Sequence, residues 1–300
     1  MSELLWGIDL GGTKIEGAVL HAKTHEVLFR DRIPTEAVNG YEHILHRISR
    51  MRDMMEKEVG ARCEKLGIGT PGAIDPQSGL MKNSNSTALN KQPFHKDLQA
   101  LLGIELKMAN DANCFALAEA IMGAVPEQVP HAEVVFGVIM GTGVGGGIVV
   151  NGNVLNGLQG IAGEWGHNFL DESGGPDYAG LDGCVETILA GPSLERWYKK
   201  LSGEERKLKD ILQRHRDGVD EHASATIERL INFFGKAIAV IINTLDPHAI
   251  VLGGGVSNVD ELYTDGVKAA EKHVFNPRME TPFLKPKLGD SAGVFGAALL

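Results

Sequence analysis

Apolar and polar positions follow two rhythms along this chain. Residues 4–9 (Leu-Leu-Trp-Gly-Ile-Asp) and 15–20 (Ile-Glu-Gly-Ala-Val-Leu) are short apolar runs that read as strands. Between them, Leu10-Gly11-Gly12-Thr13-Lys14 predicts a glycine hairpin. Over 41–58 the period becomes helical, with Ile44, Ile48, Met51 and the pair Met54–Met55 recurring on one face. Residues 65–69 predict a short buried strand that ends in the turn Thr70-Pro71-Gly72. Residues 73–93 show no clear element and read as a loop carrying Asn83-Ser84-Asn85-Ser86.

A strand over 105–109 leads into a helix starting near Asn110-Asp111. From Val134 the pattern restarts, with a strand over 134–140, a glycine turn over 141–147, a strand over 148–150 and a hairpin at Asn151-Gly152. A glycine turn between antiparallel strands thus occurs twice, which predicts an internal duplication of one phosphate-gripping unit. The C-terminal half reads as helical. Its later part gives a strand over 249–252, the turn Gly253-Gly254-Gly255 and a helix over 258–274.

Length changes this picture first: 300 residues exceed one small core and suit two lobes with a cleft between them. An apolar fraction of 43% with 23% charged residues is ordinary for a globular protein. The 39 acidic against 29 basic residues give a net charge of −10, which disfavours nucleic acid and anionic membranes as partners. Cys63, Cys114 and Cys184 are too few and too scattered for a disulfide framework, so a reducing compartment is expected. The N-terminus shows no targeting pattern, and a cytoplasmic location follows. The most apolar helical stretch, about 223–245, is interrupted by Glu228, Arg229, Asn232 and Lys236, and reads as a core helix rather than a membrane span.

The glycine clusters carry the first chemistry. Gly141-Thr142-Gly143-Val144-Gly145-Gly146 satisfies G-x-G-x-x-G, but a strand follows it where a dinucleotide fold needs a helix. No Walker-type loop occurs. What remains is a hairpin whose backbone N–H groups can approach phosphate oxygens, with a plain tight hairpin as the bland alternative. Three glycine clusters, each directly after an apolar strand, favour nucleotide binding.

At this point a resemblance becomes specific. Asp9-Leu10-Gly11-Gly12-Thr13-Lys14, Gly141-Thr142-Gly143 and Leu252-Gly253-Gly254-Gly255 resemble the two phosphate motifs and the adenosine motif of the actin-like ATPase superfamily. Asn110-Asp111-Ala112-Asn113 and Gly163-Glu164-Trp165-Gly166-His167 resemble the ROK family of bacterial sugar kinases and repressors within it. The likeness runs from Gly7 to Gly289-Asp290-Ser291-Ala292-Gly293. It implies an α/β chain with the two-lobed actin-like ATPase (ribonuclease H-like) fold and a central cleft. The lobes expected are 1–111, completed by a last helix at about 290–300, and 112–289.

The resemblance also implies an ATP:hexose phosphotransferase acting with Mg²⁺, as a homodimer whose partners are a small sugar and ATP. Asp111 is then the general base, although Asn and Asp at a helix start are also preferred caps. Gly72, Asn85, Asn110, Asp111, Glu164, His167 and Glu186 match the family's sugar-contact positions. Glu186 also reads as a first-turn glutamate favoured by the helix dipole, and Asn85 as a loop residue. Asp9 is the candidate that orients Mg²⁺ through water. Gly11, Gly12, Thr13, Lys14, Gly141, Thr142, Gly143, Gly253, Gly254 and Gly255 would bind the nucleotide. Lys14 reads equally as a solvated hairpin lysine.

Many members of the family carry a structural zinc on a histidine and three cysteines. Here His167 and Cys184 are kept, while Asp177 and Ala179 stand where two of the cysteines would be. A closed zinc site wants four ligands, so no zinc of that type is expected. A repressor of the family would need a DNA-binding domain ahead of a strand that already begins by Leu4. A silent sugar sensor would be expected to have lost Asp111 or the phosphate glycines. Trp165, the Asn83–Asn85 loop and Asn90-Lys91-Gln92-Pro93-Phe94 resemble fructokinases, which makes the 6-hydroxyl of fructose the first choice, with mannose or glucose as side activities. N-Acetylglucosamine kinase or glucokinase is the alternative.

Overall fold

The computed structural model describes residues 3–177 and 180–300. The chain forms two compact units. The first runs through Gln128 and adds Gly147–Gly163 and Lys287–Leu300; the second comprises Val129–Gly146 and Glu164–Pro286.

The elements up to Gln128 are β1 (Leu4–Leu10), β2 (Lys14–His21), β3 (Val27–Pro34), α1 (Tyr41–Val59), β4 (Lys65–Thr70), the two-residue strands β5 (Ala73–Ile74) and β6 (Met81–Lys82), α2 (Phe94–Leu102), β7 (Glu105–Asn110), α3 (Asp111–Ile121) and α4 (Ala124–Gln128). β8 (Val134–Met140), β9 (Val144–Val150) and β10 (Asn153–Val154) follow. Then come α5 (Val185–Leu189), α6 (Gly191–Ser202), α7 (Leu208–Arg216), α8 (Glu221–Leu245), β11 (Ala249–Gly253), α9 (Asp265–Glu271), β12 (Phe283–Leu284) and α10 (Ala292–Ala298).

One five-stranded sheet has the order β3-β2-β1-β4-β7 and a second β10-β9-β8-β11-β12, the same plan of an antiparallel meander extended by two strands, while β5 and β6 pair separately. In the first, β1 pairs in parallel with β4 and β4 with β7, in a register that sets Asp9 beside Gly69 and Gly69 beside Ala109. The carboxyl ends of three strands therefore finish together, and Asp9, Thr70 and Asn110 share one edge. In the second, β8 and β11 run parallel with Gly253 beside Ile139, so two glycine turns leave from neighbouring strand ends.

Packing explains the patterns read from the sequence. Ile44, Ile48, Met51 and Met55 of α1 are fully buried beneath the first sheet. Each buried Leu or Ile side chain of this kind contributes about 1.5–3 kcal/mol of burial. α10 lies so close to β4 that a side-chain carbon on Gly67 would sit 1.7 Å from the Ala297 carbonyl oxygen, an approach only glycine permits. Among the described residues no helix is long and apolar enough to cross a membrane.

Four expectations need correction. β3 was not foreseen, because as an edge strand it exposes most of its residues and shows no apolar face. Residues 73–93 are not a plain loop; they hold β5, β6 and a short 3₁₀ turn at Thr87–Leu89. The glycine turn expected over 141–147 is only three residues long, and Gly145, Gly146 and Gly147 belong to β9. Close packing, not turning, requires the last of these: a side-chain carbon on Gly147 would come within 2.5 Å of the Ala112 carbonyl oxygen. The helix expected over 258–274 breaks into two 3₁₀ turns and the short α9, since Val259 is extended and Thr264 leaves helical geometry.

Candidate functional site

In the first unit the chemistry gathers where β1 and β7 end. Asn110 caps α3, its Oδ1 accepting from the Asn113 N–H at 2.8 Å. The capping role therefore falls to Asn110, and Asp111 becomes the first helical residue. One Asp111 oxygen accepts from the Ala112 N–H at 2.8 Å. The side chain reaches solvent, yet desolvation by the surrounding protein raises its pKa above the usual carboxylate range, against the opposing pull of two backbone N–H groups.

Asp9 shares this environment. Desolvation first, then the charges of Asp111 and Glu16, push its pKa up to about 6, with Lys14 and Arg32 pulling the other way. Glu16 lies directly opposite Asp9 across the β1–β2 pair and is buried. Burial pushes its pKa up, but hydrogen bonds from Arg32 Nε and Arg30 Nε, both 2.7 Å, outweigh this and hold it below the ordinary range. A fourth acid-side group, the buried Cys114 thiol, is driven well above its usual pKa by desolvation and by Asp9 and Asp111.

The hairpin Gly11–Lys14 between β1 and β2 has its tip exposed at Gly12, Thr13 and Lys14. Its carbonyls are held from behind: Thr35 Oγ1 donates to Gly11 O at 2.7 Å, and the Thr35 N–H donates to Thr13 O at 2.9 Å. Thr35 was not singled out in the sequence, where a threonine after a strand carries no signal. Gly72 sits in the turn after β4, close against Lys82 and Ser84, with its carbonyl taken by Thr70 Oγ1 at 2.7 Å. Asn85 is exposed, and its N–H donates to Pro71 O at 3.3 Å. The loop is set by Asn90, whose amide clamps the Ser84 N–H and carbonyl, both at 2.9 Å.

In the second unit the matching hairpin Gly141–Gly143 is supported by other groups. The Gly191 N–H at the head of α6 donates to Gly141 O at 2.8 Å. Glu186 Oε2 accepts from the Val144 N–H at 2.9 Å. The turn Trp165–His167 packs on the same hairpin: a side-chain carbon on Gly166 would lie 2.0 Å from Val144 O, and Trp165 Nε1 donates to Gly145 O at 2.8 Å. Glu164 opens that turn. Thus Gly143, Glu164, His167 and Glu186 are grouped about one hairpin.

A cavity of about 810 Å³ opens beside it, in the size range of small-molecule sites. Gly141, Thr142 and Gly255 line it, as do Pro192, Leu212 and Val256, which offer an apolar wall. Three cations line it, Lys207, Lys209 and Arg216, of which Lys207 pairs with Glu195 at 3.0 Å and Arg216 with Glu261 at 2.9 Å. Gly253 and Gly254 are not among the lining residues. Gly253 ends β11, and Gly254 takes a φ of 83° against the Met140 carbonyl, where a side chain has no room. The apolar wall was missed because α6 and α7 carry no motif.

Of the zinc-like positions, His167, Asp177 and Cys184 come together, with one ligand atom from each within 4.8 Å of the others. Ala179 lies outside the described residues. Among the described residues, three donors, one of them a carboxylate already accepting from His167 Nδ1 at 3.0 Å, do not fit a closed four-ligand site.

Known proteins resemble the chain over nearly its whole length. The N-acetyl-D-glucosamine kinases of Aliivibrio fischeri and Haemophilus influenzae are 35% and 37% identical to the chain, over 99% of it and 99% of each of them. The crystal structure of a ROK hexokinase from Thermus thermophilus matches with a TM-score of 0.88 at 31% identity, covering 99% of this chain and 97% of that one. A ROK family glucokinase from Streptomyces griseus, in complex with glucose and AMPPNP, matches with a TM-score of 0.76 at 26% identity over 98% of each chain. The family described as ROK matches residues 5–300, and the chain belongs to the ROK family, with the α/β fold of its actin-like ATPase relatives.

Proposed function

We propose that this protein is an ATP-dependent N-acetylglucosamine kinase. The observation that carries the chemistry is Asp111, a carboxylate relieved of capping by Asn110 and raised in pKa by desolvation. A base whose pKa lies nearer the working pH takes a hydroxyl proton more readily. In the reaction the sugar hydroxyl gives its proton to Asp111, its oxygen bonds to the γ-phosphorus, and the bond to the β-phosphate oxygen breaks to leave ADP.

The backbone N–H groups at Gly11–Lys14 and Gly141–Gly143 would grip the phosphates. The cavity at Thr142, Leu212 and Val256 would take the base and ribose, in line with the AMPPNP present in the Streptomyces griseus relative. Gly72, Asn85, Asn110, Glu164, His167 and Glu186 would hold the sugar. Glu186 has one oxygen committed to Val144, so its Oε1 is the atom offered to a hydroxyl.

The family also implies Mg²⁺. The residues fit it, since Asp9 is a desolvated carboxylate crowded by Asp111 and Glu16, and a divalent cation would relieve that repulsion. Asp9 would hold the ion, which supplies neutralising charge to the phosphates. By family resemblance the same reading makes the protein a cytoplasmic homodimer.

The sugar is the point where the first expectation gives way. Relatives named N-acetyl-D-glucosamine kinase, at 35–37% identity, favour the alternative over fructose. Three of the residues that suggested fructose have internal roles instead. Trp165 is buried and stacked edge-on against Phe136, Phe94 is fully buried, and Asn90 clamps its own loop. ADP release with Mg²⁺-ATP, measured against N-acetylglucosamine, fructose, mannose, glucose and N-acetylmannosamine, tests the reading. N-Acetylglucosamine should lead in kcat/KM by about tenfold or more, the scale at which a few pocket contacts discriminate. A lead by fructose would restore the first choice. Absence of any sugar-dependent turnover in a folded, ATP-binding protein would favour a sensor.

A further inference from the structure

Asp177 is a buried carboxylate whose two oxygens both take part in hydrogen bonds. Its side chain is 0% exposed. One oxygen, Oδ1, accepts from the Leu181 N–H at 2.8 Å. The other, Oδ2, lies 3.0 Å from His167 Nδ1 and 3.7 Å from Cys184 Sγ, which donates to it. Its backbone joins in, with the Asp177 N–H donating to Leu181 O at 2.9 Å and the Gly180 N–H donating to Asp177 O at 3.2 Å. Cys184 in turn precedes α5, whose Glu186 supports the Val144 hairpin. One buried side chain thus ties together the loop, the imidazole and the start of α5.

We propose that Asp177 is a positioning residue that fixes the orientation and tautomer of His167 without a metal ion, setting the proton on Nδ1 and the lone pair on Nε2. A carboxylate only accepts, so the ring nitrogen facing it must carry the hydrogen. The opposite nitrogen of a neutral ring is then an acceptor, and a sugar hydroxyl reaching Nε2 donates to it. A metal bound at Nδ1 would do the reverse, placing the proton on Nε2 and making the ring a donor. The exchange of a thiolate position for Asp177 therefore inverts the hydrogen-bonding polarity that His167 offers its ligand. This inference rests on the proposed sugar-binding role of His167 for its consequence, and on the Asp177 geometry alone for its cause.

The test has a spectroscopic arm that needs no substrate. Nitrogen–proton correlation of the histidine rings, with His167 assigned by its loss in His167→Gln, should show the Nδ1–H tautomer. Elemental analysis of the purified protein should show well under one zinc per chain. In the kinetic arm, Asp177→Asn should raise the KM for N-acetylglucosamine roughly tenfold, the scale of one hydrogen bond to a charged group, with the KM for ATP unchanged. Cys184→Ala, which leaves the Asp177–His167 pair in place, should keep both KM values and serves if Asp177→Asn does not fold.

An Nε2–H tautomer in the wild-type protein, stoichiometric zinc, or a Cys184→Ala protein that loses sugar affinity would each overturn the proposal. A wild-type protein with the Nδ1–H tautomer but no turnover on any sugar would instead sink the kinase reading and leave the Asp177 role standing.

Discussion

The two glycine hairpins share a backbone device and differ in what surrounds it. In both, the first glycine N–H closes the turn, Gly11 onto Lys14 O at 2.9 Å and Gly141 onto Gly143 O at 2.8 Å. The first hairpin is flanked by titratable groups, with Asp9 and Glu16 in the adjoining strands and Asp111 near enough to raise the pKa of Asp9. The second has neutral strands and is braced by Glu186, the α6 head and the Gly166 turn, beside a largely apolar cavity. One architecture, repeated, has thus been given two chemical characters. Under the proposed reading, the charged copy reacts and orients the ion, and the neutral copy holds the nucleotide.

The sharpest way to break this contrast is at Asp111. Asp111→Ala should lower kcat about 10³-fold, within the range seen for loss of a general base. Steady-state turnover at saturating sugar and ATP measures it, and a kcat within tenfold of wild type would take Asp111 out of the chemistry.

Next in size is an electrostatic cost confined to the first hairpin. Asp9 is pushed up to a pKa of about 6 in the folded state from the ordinary 3.8 of an aspartate, so its charged form is disfavoured by folding. In that window the folded state binds more protons than the unfolded, and this group makes stability fall as pH rises from about 4 to about 6. Above pH 6 the cost is complete, on the order of 3 kcal/mol. In nucleotide-free protein, Asp9→Asn should therefore be more stable than wild type at pH 7.5, with the difference vanishing near pH 4. Urea unfolding at the two pH values checks this, and a difference of the same size at both would refute it.

The smallest effect concerns how the first hairpin is held. Thr35→Val keeps the shape and removes the hydroxyl that holds Gly11 O, which should raise the KM for ATP a few-fold and cost about 1 kcal/mol of stability. Thr35→Ser should restore most of both. An unchanged KM for ATP in Thr35→Val would mean that the hairpin keeps its form without this support.

The contrast also shows where sequence carries the information and where it does not. The glycine turns could be read because each follows an apolar strand, and the start of α3 could be read because Asn110-Asp111 opens a helix. Which of those two residues caps could not, since both types accept a backbone N–H and only the fold assigns Asn110 to it. β3 escaped because its exposed charged residues serve a partner strand: Arg30 and Arg32 reach back to the buried Glu16, and only Ile33 of the strand is itself buried. The apparent fructose signal failed for the opposite reason. Trp165, Phe94 and Asn90 are polar or aromatic residues near the right motifs, but packing and loop closure occupy them. Asp177 looked like the loss of a ligand, and only its three-dimensional partners show it to be a hub.

The division of labour between the hairpins is tested most directly by measuring AMPPNP and N-acetylglucosamine binding to the Asp111→Ala protein by calorimetry. The account predicts dissociation constants within a few-fold of wild type for both ligands, in a protein whose turnover has collapsed, because the nucleotide grip is lodged in backbone and cavity groups and the sugar grip in other residues, all of which the substitution leaves alone. Loss of nucleotide binding in step with turnover would contradict it, and would make Asp111 part of the grip itself.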